Sequence, residues 1–184
     1  MANATTSVLK GYFNTGDKPT ETNFATLIES CNNTDYTVTS STSAIDATTI
    51  VGDHRIFLTG ALAAGLTLPQ ATANNIGSCI KIFATVAMAD DGTAMWGYAN
   101  GGSTVMAGTV NVFSTNGTND SANIPADSKR IEFDASDAAH AGGDEGTAGE
   151  FYSYGANLSF AIINGIGTHA TPALTSAIAS GTGL

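Results

Sequence analysis

The chain is predicted to be mainly β: an antiparallel β-sandwich or jelly-roll-like domain behind a short N-terminal helical hairpin. Three observations predict this. From Ile50 onward the periodicity of the apolar residues changes from helical to alternating. The segments between them are turn clusters, such as Asp90-Asp91-Gly92, Asn100-Gly101-Gly102 and Asn116-Gly117. No segment of helical pattern separates the strands, so βαβ crossovers are disfavoured.

At the N-terminus, Val8, Leu9, Tyr12 and Phe13 fall at helical spacing, and Asn14-Thr15-Gly16-Asp17 supplies the residues that end such a helix. Pro19 sets the approach to a second helix, with Thr20 as N-cap and Glu21 at the positive helix end. Phe24, Leu27, Ile28 and Cys31 form its apolar stripe. A helical hairpin of about two to four turns is too short to be stable alone in water. Asn32-Asn33-Thr34-Asp35 breaks the helix, and Tyr36 to Ala47, rich in Thr and Ser, reads as an extended linker.

The strands follow. Ile56 and Leu58 share one face, as do Leu66 and Leu68, and then Ile80, Ile82 and Val86. Pro69 closes its strand because proline donates no ladder hydrogen bond. The strand from Cys79 to Ala87 carries Lys81, Phe83 and Thr85 on one face, which reads as a half-buried face of an antiparallel sheet. Further strands are expected at Thr93 to Tyr98, Val105 to Phe113, Arg130 to Phe133, Glu150 to Tyr154 and Leu158 to Ile163. Such short, turn-punctuated strands indicate a sandwich, jelly roll or related barrel. The expected organisation is an anchor over 1–35, a linker over 36–49, a β-domain over 50–164 and a flexible C-terminal arm over 165–184. The arm, mostly Gly, Ala, Ser and Thr, cannot build a core of its own.

Composition narrows the function. Six basic against sixteen acidic residues leave a net charge of −10, which argues against a nucleic-acid surface. Lys129-Arg130, the one adjacent basic pair, reads as a solvated strand end. Cys31 and Cys79 lack the spacing of a zinc or redox motif and read as buried free thiols. The start Met1-Ala2-Asn3-Ala4-Thr5 has no basic or apolar signal region, and no run of about 18 apolar residues could span a membrane. Assembly in the cytoplasm fits both absences.

The chemistry-bearing residues are sparse. His54, His140 and His169 lie far apart without ligand spacing and read as surface histidines, so no metal site is expected. Asp134, Asp137, Asp144 and Glu145 sit in a Gly-rich loop whose spacing does not match an EF-hand; it reads as solvated. There is no G-x-S-x-G elbow and no P-loop, and Gly97 to Gly102 is a turn. No catalytic residue and no cofactor is expected. Trp96, Tyr98, Tyr152 and Tyr154 could form a sugar-stacking platform, but core or interface packing is the expected role. Tyr12, Phe13, Phe24, Leu27 and Ile28 are the candidate partner-binding residues, because a short hairpin exposing that much apolar surface needs a partner.

The run Leu9-Lys10-Gly11-Tyr12-Phe13-Asn14-Thr15-Gly16-Asp17-Lys18-Pro19-Thr20-Glu21-Thr22-Asn23-Phe24-Ala25-Thr26-Leu27-Ile28-Glu29-Ser30 resembles the N-terminal segment of tailed-bacteriophage virion proteins of the decoration, head-fibre and tail-fibre types. A second, shorter likeness to small β-domains of phage fibres and capsid-bound proteins lies in Gly65-Leu66-Thr67-Leu68-Pro69-Gln70-Ala71 followed by Gly77-Ser78-Cys79-Ile80-Lys81-Ile82. The resemblance implies a non-enzymatic virion protein that docks through its hairpin and forms a homotrimer. The expected role is a capsid decoration, or cement, protein bound to the major capsid protein on the head surface, with no nucleic-acid or membrane partner. The alternative is a tail-associated adaptor or short fibre whose β-domain binds a host surface glycan.

Overall fold

The computed structural model describes residues 18–31, 35–39, 53–60, 65–88, 94–99, 102–133, 142–168 and 179–180, together with Gly11 and Pro172. Helix α1 (Glu21–Cys31) is followed by strands β1 (Asp35–Thr39), β2 (Asp53–Leu58), β3 (Gly65–Leu68), β4 (Cys79–Ala84), β5 (Ala94–Tyr98) and β6 (Val105–Ser114). Then come β7 (Asp120–Ser128), β8 (Arg130–Phe133), β9 (Ala148–Gly155), β10 (Leu158–Gly167) and β11 (Ala179–Ser180). The protein is therefore mainly β, as alternation and turn chemistry predict.

Helix α1 begins where the capping residues place it. Thr20 Oγ1 accepts from the Asn23 N–H at 3.2 Å, and Asn23 Oδ1 accepts from the Thr20 N–H at 2.8 Å. This reciprocal pair is a capping box with Asn in the place usually held by Glu or Gln. Of the first half of the hairpin only Gly11 is described, in helical conformation. Tyr12 and Phe13 lie outside the described residues.

The strands form a seven-stranded sheet in the order β1-β2-β4-β9-β10-β6-β7 and a four-stranded sheet in the order β11-β8-β5-β3. The antiparallel expectation is corrected here. Pairs β1–β2, β2–β4, β6–β10 and β3–β5 are parallel, so both sheets are mixed. For β2–β4 and β3–β5 the reason is topological. Between β2 and β5 the chain alternates between the two sheets, and each strand returns beside the strand two before it, pointing the same way. A strand of the opposite sheet thus does the work of a crossover, which parallel neighbours need and which usually is a helix. The face of β4 that carries Lys81 and Phe83 is half-buried as expected, although β4 is parallel to β2 and antiparallel only to β9.

Between β4 and β6 the first sheet admits the hairpin β9–β10, closed by Ala156 and Asn157, with Asn157 at φ 63°. Its tip is tied down by bonds from Asn157 N to Ala71 O at 2.9 Å and from Val105 N to Asn157 O at 3.0 Å. One core lies between the sheets. Trp96 of β5 packs edge-on against Phe133 of β8 at 4.7 Å between ring centroids and reaches Phe151 of β9, in the other sheet, at 6.5 Å. Ile56, Leu58, Ile82, Val110, Ile131 and Ile163 complete its centre, all without exposure.

Four sequence expectations change in detail. Asp35–Thr39, read as the end of the anchor and the start of the linker, is a strand paired with β2. Strand β7 was not expected, since it contains Pro125 and only one large buried side chain, Ile124. It lies at the sheet edge, where proline is tolerated, and the register slips at Pro125–Asp127 opposite Ala107. At the C-terminal end β10 runs on to Gly167, Pro172 is buried, and Ala179–Ser180 of the predicted arm pairs with β8. Finally, His54 is buried in β2 rather than solvated at the surface.

Candidate docking face

Alternation sends the second set of side chains in the seven-stranded sheet outward, away from the core. On a solvent-facing sheet that set is normally polar. Here it is not. Strand β10 turns Ser159, Ala161 and Ile163 inward to burial and presents Leu158, Phe160, Ile162, Asn164 and Ile166 on the other side. Leu158 and Phe160 are 40% and 41% exposed, and Tyr154 at the adjoining end of β9 is 55% exposed. Ile76, in the turn before β4, is also exposed, and its turn is held to β9 by the bond from Gly77 N to Ser153 O at 2.7 Å. These side chains concentrate exposed apolar surface at one end of the sheet.

The neighbouring strands continue the face. Phe57 of β2 and Phe83 of β4 are register partners, and their rings stack at 5.4 Å with an interplanar angle of 19°. The next row brings Arg55, Lys81 and Glu150 side by side across β2, β4 and β9. Lys81 Nζ lies 3.4 Å from Glu150 Oε1, and the Tyr152 hydroxyl donates to Glu150 Oε2. That hydrogen bond and the nearby Lys81 ammonium hold the Glu150 carboxyl below its ordinary range, and the same bond pushes the Tyr152 phenol up. Tyr152 pairs in register with Cys79, whose thiol is buried and free and is raised chiefly by that burial. A buried thiol held in its protonated form is a weak nucleophile, so the cluster fixes side chains rather than offering a reactive group.

The sequence-predicted binding residues divide accordingly. Phe24 is 47% exposed on α1 and Leu27 is half-buried, so the described part of the hairpin presents an apolar side chain to solvent. The Ile28 side chain, like Tyr12 and Phe13, lies outside the described residues. Among the four aromatics weighed as a sugar platform, Trp96 and Tyr98 belong to the core, and burial raises the Tyr98 phenol to about 12. Tyr152 is half-buried on the outer face and Tyr154 is exposed there. The structure thus separates a pair of core rings from a pair of surface rings. Reading the outer face from sequence would have required noticing that in Leu158-Ser159-Phe160-Ala161-Ile162-Ile163 the set Leu158, Phe160 and Ile162 is as apolar as the set Ser159, Ala161 and Ile163 that packs inward.

Other candidates are settled by geometry. Lys129 Nζ donates to Gly102 O at 2.8 Å, and Arg130 pairs with Glu132 at 2.6 Å, so the basic dipeptide is engaged within the chain. Among the described residues no group of three or more His, Cys, Asp or Glu side chains could hold a metal ion. Most of the acid-rich loop, from Asp134 to Ala141, lies outside the described residues, as do His140 and His169. No described helix is long and apolar enough to cross a membrane. No family model, curated protein or solved structure matches the chain.

Proposed function

We propose that the chain is a structural protein of a tailed-bacteriophage virion, a capsid decoration protein that attaches by its N-terminal hairpin and associates with its own copies. The observation that carries the association is the apolar outer face of the seven-stranded sheet. Exposed Leu158, Phe160, Tyr154 and Ile76 gather at one end of that face and form the kind of apolar surface that marks a protein interface. The attachment reading rests on the N-terminal segment that resembles phage virion proteins, and on the capped helix α1 with exposed Phe24.

In this reading the two surfaces divide the work. The hairpin, through Tyr12, Phe13, Phe24, Leu27 and Ile28, meets the major capsid protein. The sheet face meets further copies, giving a homotrimer of sandwich-like domains. Linking three weak anchors makes the second and third attachments intramolecular, so the assembly holds far more tightly than one hairpin. The net charge of −10 keeps assembled copies soluble and apart from one another outside their interfaces. No catalytic role is assigned to any residue.

Quantitative mass spectrometry of purified virions containing the chain tests the location. Hundreds of copies per particle, spread over the head, are expected; a few tens or fewer at one vertex would overturn decoration in favour of a tail adaptor or short fibre.

A further inference from the structure

A cavity of about 270 Å³ opens at the far end of the same sheet, where β6 runs into β7. Its lining is Asn111, Val112, Phe113, Asn119, Asp120 and Ser121. The apolar end of the face begins at Val105 and Leu158, which are register partners, and Phe113 lies eight residues further along β6. At the rise of an extended strand this is about 25 Å away, so the cavity is separate from the apolar cluster.

Its chemistry is specific. Phe113 is 45% exposed and forms one wall. Asn111 Nδ2 donates to Asn164 Oδ1 at 3.3 Å across β6 and β10, where the two residues are register partners, so Asn164, outside the lining itself, borders the cavity through Asn111. That bond uses one donor of Asn111 and the carbonyl of Asn164, which leaves the Asn111 carbonyl and the Asn164 amide protons as an adjacent acceptor and donor. On the other side Ser121, the register partner of Asn111, brings a hydroxyl, and Asn119 is positioned by its Oδ1 accepting from Ser114 N at 3.1 Å. The lining holds one carboxylate and no cationic side chain, so it does not suit an anion. A purely apolar ligand would leave the amides unpaired, which is costly.

The ligand class complementary to such a wall is a neutral ring with one apolar C–H face and an edge of neighbouring hydroxyls, each both donor and acceptor. We propose that this cavity is a pyranose-binding site, in which Phe113 stacks on the C–H face of a sugar and the Asn111–Asn164 pair bonds two adjacent hydroxyls. The site goes beyond the assembly role and does not depend on where the chain sits in a particle.

The test is titration of the full-length, isotope-labelled chain with the methyl pyranosides of glucose, galactose and mannose and with N-acetylglucosamine, followed by amide chemical shifts. Expected is saturable binding of at least one probe in the millimolar range, with shifts confined to 109–123 and 162–168. Phe113→Ala and Asn164→Ala are each expected to weaken it about tenfold, as loss of a stacking surface or a directed hydrogen bond does. Phe113→Tyr, which keeps the ring, should bind as the unaltered chain does; it also serves as the informative variant if Phe113→Ala loses its far-ultraviolet circular dichroism. No saturable shift with any of the four probes at tens of millimolar overturns the proposal. So do shifts that glycerol reproduces, or binding that survives Phe113→Ala in a folded variant.

Discussion

Replacing Trp96, the single tryptophan, tests how the two sheets are held together. The indole has no exposure, meets Phe133 and Phe151 edge-on, and its Nε1–H has no hydrogen-bond partner among the described residues. Burying a ring of this size removes about 150–250 Å² from water, about 4–6 kcal/mol at 25 cal/mol per Å². The edge-on pair with Phe133 adds about 1 kcal/mol. Against this, the unpaired indole N–H costs about 1–3 kcal/mol. Trp96→Ala should therefore destabilise by about 3–5 kcal/mol, the usual range for an aromatic truncated in a core.

Trp96→Phe separates the terms. It loses roughly three heavy atoms of packing, about 2 kcal/mol, and also removes the unpaired donor, about 1–3 kcal/mol in the opposite direction. It should fall within about 1 kcal/mol of the unaltered protein. Urea unfolding followed by far-ultraviolet circular dichroism reads both variants, with a common m-value required for the comparison. A Trp96→Phe variant as unstable as Trp96→Ala would refute the reasoning, because it would mean that the indole N–H is bonded and its loss adds to the cavity.

Three further outcomes are expected. Gly108→Ala should cost more than about 3 kcal/mol in the same assay, since φ is +153° and the new Cβ would lie 1.8 Å from Ala161 O of β10; Gly77→Ala, with φ +88° and open space, should cost only about 1 kcal/mol. Glu150 is lowered by its hydrogen bond from Tyr152 and by Lys81, so its stabilising contribution is fully present above pH 4.5 and is lost as pH falls below that value; acid titration of stability should be flatter in Glu150→Gln over that interval. Phe24 and Leu27 changed together to Asp should abolish incorporation into virions and leave the circular dichroism of the β-domain unchanged; normal incorporation would refute the anchor assignment.

How much of this was legible in the chain depends on the element. Strand β8 lies where its alternation puts it, from Arg130 to Phe133, and Leu68 ends β3 just before Pro69, because each signal is local. The Thr20 cap is equally local, and both of its hydrogen bonds form. Parallel pairing was not legible, since it arises from where β3 carries the chain between β2 and β4, and no residue in β2 or β4 encodes that path. Strand β7 was hidden because an edge strand needs few apolar residues and can hold Pro125.

The candidate surfaces follow the same division. Phe24 is recognisable from helical spacing alone. On the outer sheet face, only the register β2-β4-β9-β10 shows that Tyr152 and Phe160 are neighbours and that the Phe57–Phe83 pair lies beyond the Arg55, Lys81 and Glu150 row. The Asn111–Asn164 pair spans a parallel contact between strands far apart in the chain, so spacing could not reveal it.

The central claim is that the outer sheet face joins copies of this chain. Sedimentation equilibrium of the full-length protein and of the double variant Leu158→Lys, Phe160→Lys tests it most directly. The unaltered chain should sediment at three times its 18.6 kDa mass, and the variant, folded by circular dichroism, at the mass of one chain. A monomer at every concentration for the unaltered chain, or a variant that keeps the assembled mass, would contradict it.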